Sequence, residues 1–367
     1  MAGKRMNTSL TDLYTRMGAA LAPDGIPLHF GDVAKEYDAA LKGSVLLDRS
    51  HEGLLQLSGK DRFDLLDRMS TNDLSSIQVG QGKPTLFLNA NGRILDRAIV
   101  FNPDGERLLI LTGPGRGPAL QQYIQRHIFF NDDAEVEECG QSMHQFALHG
   151  PTADGIIAAY RPVADSVQHY QIDPVEVAGI AVFVARLEPV NEAHWIILVP
   201  EAHAADGWQA LVETHQPDGL IPSGGMVYHA LRVRSGMPAA GFELTSQYIP
   251  LELGLWNEIS FNKGCYTGQE IIARMESRER LARVMVHLLP ERAVNRGDTL
   301  YAEGKTVGEI TSAVTTPTGE HYAIGVIKIA HAVEGKQLSV GQVDVISTHI
   351  ARILGVQPEF VRDNSSD

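Results

Sequence analysis

Apolar positions at Leu10, Leu13, Tyr14 and Met17 recur at helical spacing and predict an amphipathic opening helix over residues 10–21, with Thr11 and Asp12 placed to cap its start. A weak internal repeat follows. The run Leu54-Leu55-Gln56-Leu57-Ser58-Gly59 leads into a helical pattern from Asp61 to Met69, and Gln145-Phe146-Ala147-Leu148-His149-Gly150 leads in the same way into Thr152 to Tyr160. Their second halves also correspond: Leu108 to Leu111 before a helix over 118–128, and Trp195 to Leu198 before a helix over 206–212. Each apolar run reads as a buried strand, and each segment after it carries the i, i+3, i+4 spacing of a helix packed by one face. After Arg283 the pattern changes to short strands between turn residues, at 284–288, 306–310, 324–328 and 343–346.

Two copies of strand, helix, strands, helix imply an α+β fold of two ferredoxin-like units rather than a doubly wound parallel sheet, and the last region implies a small C-terminal β-barrel. The polar end, Arg362 to Asp367, is expected to be disordered. With 367 residues, 44% hydrophobic and 21% charged, the chain has the make-up of a globular protein of two or three domains. A formal charge of −14, from 31 Lys and Arg against 45 Asp and Glu, argues against direct nucleic-acid binding, which rests on many phosphate-neutralising cations. No signal-peptide core and no run of about 18 apolar residues is present, so a cytoplasmic protein without a membrane span is expected.

Familiar nucleotide motifs fail on inspection. Thr112-Gly113-Pro114-Gly115-Arg116-Gly117-Pro118 stands between a strand and a helix but has Pro118 at the third glycine position, and Gly304-Lys305-Thr306 lacks the glycine five residues before it. HExxH, CxxC and GxSxG are absent, and no metal site is expected. Two segments carry more chemistry. Asn89-Ala90-Asn91-Gly92 turns into a strand in which alternation puts Ile94, Asp96 and Ala98 on one face and Leu95, Arg97 and Ile99 on the other. Lys263-Gly264-Cys265-Tyr266-Thr267-Gly268-Gln269-Glu270 places one of only two cysteines in a glycine-bracketed loop beside a lysine. Cys265 reads either as a reactive thiol or as an inert buried one, whereas Cys139 lies among Glu135, Glu137 and Glu138, which disfavour a thiolate. Two cysteines form neither a disulfide framework nor a cluster site, so any iron–sulfur cluster held here needs ligands from another molecule.

The octapeptide beginning at Lys263 resembles the signature of the YgfZ family, folate-binding proteins of the T-protein superfamily that support iron–sulfur enzymes. The match extends through Gly236-Met237-Pro238, Ile249-Pro250-Leu251-Glu252, Ile259-Ser260-Phe261-Asn262 and Ile271-Ile272-Ala273-Arg274. Resemblance to the wider superfamily begins at Pro27-Leu28-His29-Phe30-Gly31 and Asp48-Arg49-Ser50-His51 and covers nearly the whole chain. It implies interleaved units, 1–53 with 142–225 and 54–141 with 226–282, then a barrel over 283–357 and a tail over 358–367, around a central channel that takes tetrahydrofolate. Glycine-cleavage aminomethyltransferases carry a Gly-Gly-hydrophobic-hydrophobic-Asp-Asp strand whose acid faces the folate; Asp96 matches the first acid and Arg97 replaces the second. Glu192 falls where those enzymes have a pterin-holding glutamate, without the Gly-Tyr-Thr-Gly before it, and Arg232 matches the arginine of their Leu-Arg-Leu-Glu-Ala-Gly-Met stretch. The resemblance thus implies a cofactor-binding set of Asp96, Glu192, Arg232, Tyr266 and Gln269, with Cys265 as the working thiol and Lys263 supporting it.

Three functions follow. The first is a tetrahydrofolate-dependent accessory protein for assembly or repair of iron–sulfur enzymes, including tRNA-modifying radical enzymes, with those client proteins as transient partners. The second is an aminomethyltransferase-like one-carbon transferase, favoured by Asp96 and opposed by the cation at Arg97 and by the cysteine loop. The third is a folate binder without chemistry of its own, in which Cys265 is inert.

Overall fold

In a computed structural model that describes residues 9–161, 167–278, 281–342 and 345–357, the opening helix is Leu10–Arg16. It is shorter than expected and differently capped. Ser9 Oγ accepts the Asp12 N–H at 3.1 Å, which satisfies one of the helix's unpaired N-terminal donors. The chain then leaves the helix through Gly18 and pairs Ala20–Leu21 with Pro27–His29.

The chain divides into two compact units. The first comprises residues through Arg62, Ile77–Lys83 and Ile99–Leu231. Its six-stranded sheet has the order Ile172–Val177, Ile180–Arg186, His194–Pro200, Met143–His149, Ser44–Asp48, Leu220–Ser223, antiparallel except for the last pair. The consecutive apolar residues of its central strands have a simple cause: both faces are covered. Phe146, Leu148, Trp195, Ile197 and Val199 point into a core with Tyr14 and Trp208, while Ala147, Ile196 and Leu198 point into another with Leu54, Leu109 and Leu111. Trp208 anchors the first core, with the Tyr14 ring 4.9 Å and the Phe146 ring 5.1 Å away, both edge-on.

The internal repeat is present as read. Glu52–Ser58 precedes helix Arg62–Met69 and Leu108–Pro114 precedes helix Gly117–Gln125, as Met143–His149 precedes Ala153–Ala158 and His194–Pro200 precedes Ala204–His215. The first copy contributes to a five-stranded sheet with the order Gln81–Leu88, Ile94–Asn102, Leu108–Pro114, Glu52–Ser58, Glu135–Glu138. The unit boundaries fall inside Gln81–Leu88 and Ile94–Asn102, at Pro84 and Ile99, and inside helix Gly225–Ser235 at Arg232.

The second unit comprises Phe63–Ser76, Pro84–Ala98 and the chain from Arg232 onward. Six of its strands close into a barrel in the order Arg283–Pro290, His321–Lys328, Lys305–Thr315, Thr299–Ala302, Gln337–Gln342, Val345–Val356. Closure removes the unpaired edges that an open sheet leaves, and Val286, Leu288, Leu300, Ile327 and Ile353 fill the interior. Of the strand expected at 343–346, residues 343–344 lie outside the described residues, as does the 358–367 tail. Among the described residues no helix is long and apolar enough to cross a membrane.

Candidate functional site

The strand after the Asn89-Gly92 turn starts with the alternation read from sequence: Ile94, Asp96 and Ala98 are buried, and Leu95, Arg97 and Ile99 are half-buried. Asp96 is only 5% exposed. A carboxylate held among apolar side chains must be hydrogen-bonded to stay there, and its Oδ1 accepts the Arg97 N–H at 2.9 Å. The Arg97 side chain goes to Glu258. Nε lies 2.8 Å from both carboxylate oxygens and Nη2 lies 2.6 Å from Oε1, a fork-like pair in which Glu258 is nearly buried. Backbone bonds fix the acid's position: the Glu258 carbonyl accepts from Thr71 Oγ1 at 2.6 Å, and the Ser260 N–H donates to the Thr71 carbonyl at 2.9 Å.

The signature loop is seated against the same turn. Gly268 has φ +84 and Gly92 φ +67, both in the region that favours glycine. A Cβ on Gly268 would lie 2.6 Å from the Asn89 carbonyl oxygen and 3.0 Å from Gly92 Cα, so the close approach of the two loops requires glycine there. Lys263 bolts the loop from its other end. Its Nζ donates to the carbonyls of Asp67, Ser70 and Asn72 at 2.5, 3.0 and 2.7 Å and lies 3.0 Å from Asp67 Oδ1, with the side chain 3% exposed. These acceptors take up all three ammonium protons, which makes Lys263 the anchor of the loop. Tyr266 is buried in the local core with Ile249, Leu251 and Met285, and burial pushes its phenol up to about 12. Gln269, half-buried, starts helix Gln269–Arg278. Between these fixed points Cys265 is exposed. Cys139 is buried, and burial, then Glu137 and Glu138, push its thiol up.

Arg232 and Glu192 have surroundings of their own. Arg232 is 2% exposed; it donates to the Met237 carbonyl at 2.9 Å and to Ser312 Oγ at 2.9 Å and pairs with fully buried Glu243 at 3.3 Å. It meets protein on these sides and braces the end of its helix against barrel strand Lys305–Thr315. Glu192 belongs to the first unit, where it is exposed with φ +56. Asp96, Lys263, Cys265, Tyr266 and Gln269 all belong to the second unit, where the loop carrying the last four rests on the turn that leads into the Asp96 strand. The residue that sequence reasoning missed here is Glu258, the partner of the Arg97 side chain. Its only sequence signal was an acid three residues ahead of the Phe261-Asn262-Lys263 flank.

A second polar cluster, in the first unit, was not anticipated. Asp48 accepts from Tyr14 Oη at 2.8 Å, from His144 Nε2 at 3.1 Å and from the N–H and Oγ of Ser50 at 2.9 and 2.7 Å. His144 Nδ1 reaches Glu201 Oε2 at 2.9 Å. Carboxylates only accept, so an imidazole hydrogen-bonded to two of them carries both protons. Burial favours neutral forms, but the paired charges and hydrogen bonds win: Asp48 is held below its usual range and His144 above its own. These residues line a cavity of about 1060 Å³ with Arg16, Asp206 and Glu213. Among the described residues no group of three or more His, Cys, Asp or Glu is arranged to hold a metal ion.

A family model described as the GCVT N-terminal domain matches residues 14–263. An aminomethyltransferase of Streptomyces coelicolor is 30% identical over 353 residues, covering 93% of this chain and 94% of that protein. An aminomethyltransferase of Symbiobacterium thermophilum is 28% identical over 348 residues, covering 91% and 92%. The crystal structure of glycine cleavage system aminomethyltransferase T from Bartonella henselae superimposes with a TM-score of 0.82 over 97% of this chain and 100% of that one, at 21% identity, and so shares the fold.

Proposed function

The chain belongs to the family of the GCVT N-terminal domain, and from that premise we propose that it binds a reduced folate at Asp96 and works through Cys265 as a YgfZ-type accessory factor in assembly or repair of iron–sulfur enzymes, tRNA-modifying radical enzymes among them. The observation that carries this reading is the contrast within one loop: Lys263 and Gly268 anchor it on either side, and Cys265 between them is exposed. An exposed thiol on a loop anchored on both sides suits transient chemistry on a client protein, because the anchored loop has little ordering entropy left to lose when the client docks.

Folate chemistry fits the acid present. When bound, tetrahydrofolate supplies a nitrogen that carries a one-carbon unit; Asp96 is an acceptor suited to the N–H donors of a pterin edge. Arg232 does not fit as the partner of the glutamate tail, since its guanidinium is buried against Glu243 and Ser312. Lys263 supports the site by holding the loop, and its protons are spent on carbonyls rather than on a thiolate.

One observation favours one-carbon transfer as a second reading. The cation at Arg97, which on sequence grounds opposed a positively charged methylene intermediate, is matched by Glu258, so that objection loses its electrostatic basis. A pair of assays separates the two. Loss of client iron–sulfur enzyme activity in cells carrying Cys265→Ala, with protein abundance unchanged, is the expected outcome; brisk folate-dependent methylene transfer by purified protein that survives Cys265→Ala would replace the first reading with the second.

A further inference from the structure

We infer that His144 is a proton-controlled latch on the cavity of the first unit: it holds Glu201 to the cavity wall while its imidazole carries both protons, and lets Glu201 go when one is lost. Every residue involved lies in the first unit, and the latch does not depend on the folate reading. Donor capacity at one ring sets it. Nε2 lies 3.1 Å from Asp48 Oδ2 and Nδ1 lies 2.9 Å from Glu201 Oε2, and ionised carboxylates only accept. A neutral imidazole has a single N–H, so one of the two carboxylates must then face a ring lone pair.

The two carboxylates are unequally held, which decides the one released. Asp48 is 5% exposed and keeps three other donors, Tyr14 Oη at 2.8 Å and the N–H and Oγ of Ser50 at 2.9 and 2.7 Å. Burial, then the Asp48 charge, pushes the Tyr14 phenol up, so it stays a donor while the imidazole titrates. The Glu201 side chain is 47% exposed, and among the described residues His144 is its one hydrogen-bond partner. Water can replace the imidazole at Glu201 but not at buried Asp48, so the remaining ring proton stays on Nε2. Release moves a side chain and leaves the backbone in place: the Glu201 N–H donates to the Ser142 carbonyl at 2.9 Å, at the start of the turn Glu201–His203 that leads into helix Ala204–His215. The other charged groups of the cavity are Arg16 on the opening helix, Asp24 between the first two strands, and Asp206 and Glu213 on helix Ala204–His215; Arg49, next to Asp48, is paired with Glu52. Loss of the imidazole proton makes this wall one charge more negative and leaves a carboxylate free at it.

The experiment follows wild type and Glu201→Gln by NMR from about pH 5 to 9. Imidazole nitrogen shifts give the His144 midpoint and tautomer, and three-bond couplings across the Cα–Cβ bond of residue 201 give its rotamer. Burial opposes the charged ring, but the hydrogen bonds and charges of Asp48 and Glu201 prevail, so the midpoint should lie above 6.5. In wild type, Glu201 should hold one rotamer below that midpoint and average over several above it, with the neutral ring protonated on Nε2. The amide in Glu201→Gln can donate to the bared Nδ1 as well as accept from its N–H, so residue 201 should keep one rotamer on both sides of the midpoint. A wild-type Glu201 that keeps its rotamer through the His144 midpoint, a neutral ring protonated on Nδ1, or the same pH-dependent averaging in Glu201→Gln would each overturn the latch.

Discussion

The two cysteines of this chain sit in opposite physical settings. Cys139 follows acidic edge strand Glu135–Glu138, buried beside Leu109 and Leu111, with its thiol pushed toward the neutral form. Cys265 is exposed in a loop held by Lys263 on one side and by the Gly268–Gly92 approach on the other. The difference teaches that the working role proposed for Cys265 rests on how its loop is anchored rather than on the thiol's own contacts. A filler thiol needs only apolar company, whereas Cys265 is exposed on a loop anchored at Lys263 and Gly268.

The largest test of that contrast is chemical. In the folded protein Cys265 should alkylate on the order of a thousandfold faster than Cys139, because modification of the buried thiol awaits a local opening of roughly 4 kcal/mol. Mass spectrometry of partially alkylated protein reads both sites at once, and comparable rates would erase the distinction. Next, Lys263→Met should destabilise the second unit by roughly 3–5 kcal/mol, since it removes a buried cation and strands three carbonyls and a carboxylate. Denaturant unfolding checks this, with Cys139 reactivity as the internal control that should stay low under native conditions.

These effects also show what sequence could and could not reveal. Alternation separated Asp96 from Arg97 on opposite faces of the strand, and the glycine-bracketed motif drew attention to Cys265, because both signals are local. Glu258 is 161 residues from Arg97, and Lys263 reaches carbonyls 191 to 196 residues away, so neither role has a local pattern. Placement of Lys263 two residues before Cys265 suggested a cation that activates the thiol; the fold uses the cation as a bolt. Ser9 displaced Thr11 as the first cap because one hydroxyl in the right backbone conformation suffices, and either residue satisfies the pattern. The Asp48 cluster joins Tyr14, His144 and Glu201 from separate elements and was equally beyond a periodicity reading.

A smaller effect is expected at Asp96. Asp96→Ala should weaken tetrahydrofolate binding by roughly 1–3 kcal/mol, the cost of leaving a buried partner unsatisfied. Calorimetry would show it, and unchanged affinity in a folded variant would reduce Asp96 to a strand-structuring acid. The smallest expected effect is a pH dependence confined to the first unit. His144, raised from its usual 6.5, contributes stability that is complete below 6.5 and lost as pH rises through the raised value. Asp48, lowered from 3.8, contributes stability that is complete above 3.8 and lost as pH falls through the lowered value. The cluster should therefore stabilise most between about pH 4 and 6.5. Melting curves of wild type should fall from pH 6 to pH 8 more steeply than those of His144→Gln; parallel curves would assign His144 no such role.

The central proposal is that Asp96 binds a reduced folate and forms one working unit with the Cys265 thiol, because the loop bearing the thiol rests on the turn that leads into the Asp96 strand. The most direct measurement is the alkylation rate of Cys265 with and without saturating tetrahydrofolate, occupancy being verified by calorimetry and Cys139 serving as reference. The account expects bound folate to slow alkylation of Cys265, with the effect abolished in Asp96→Ala. Identical rates at full occupancy would contradict it.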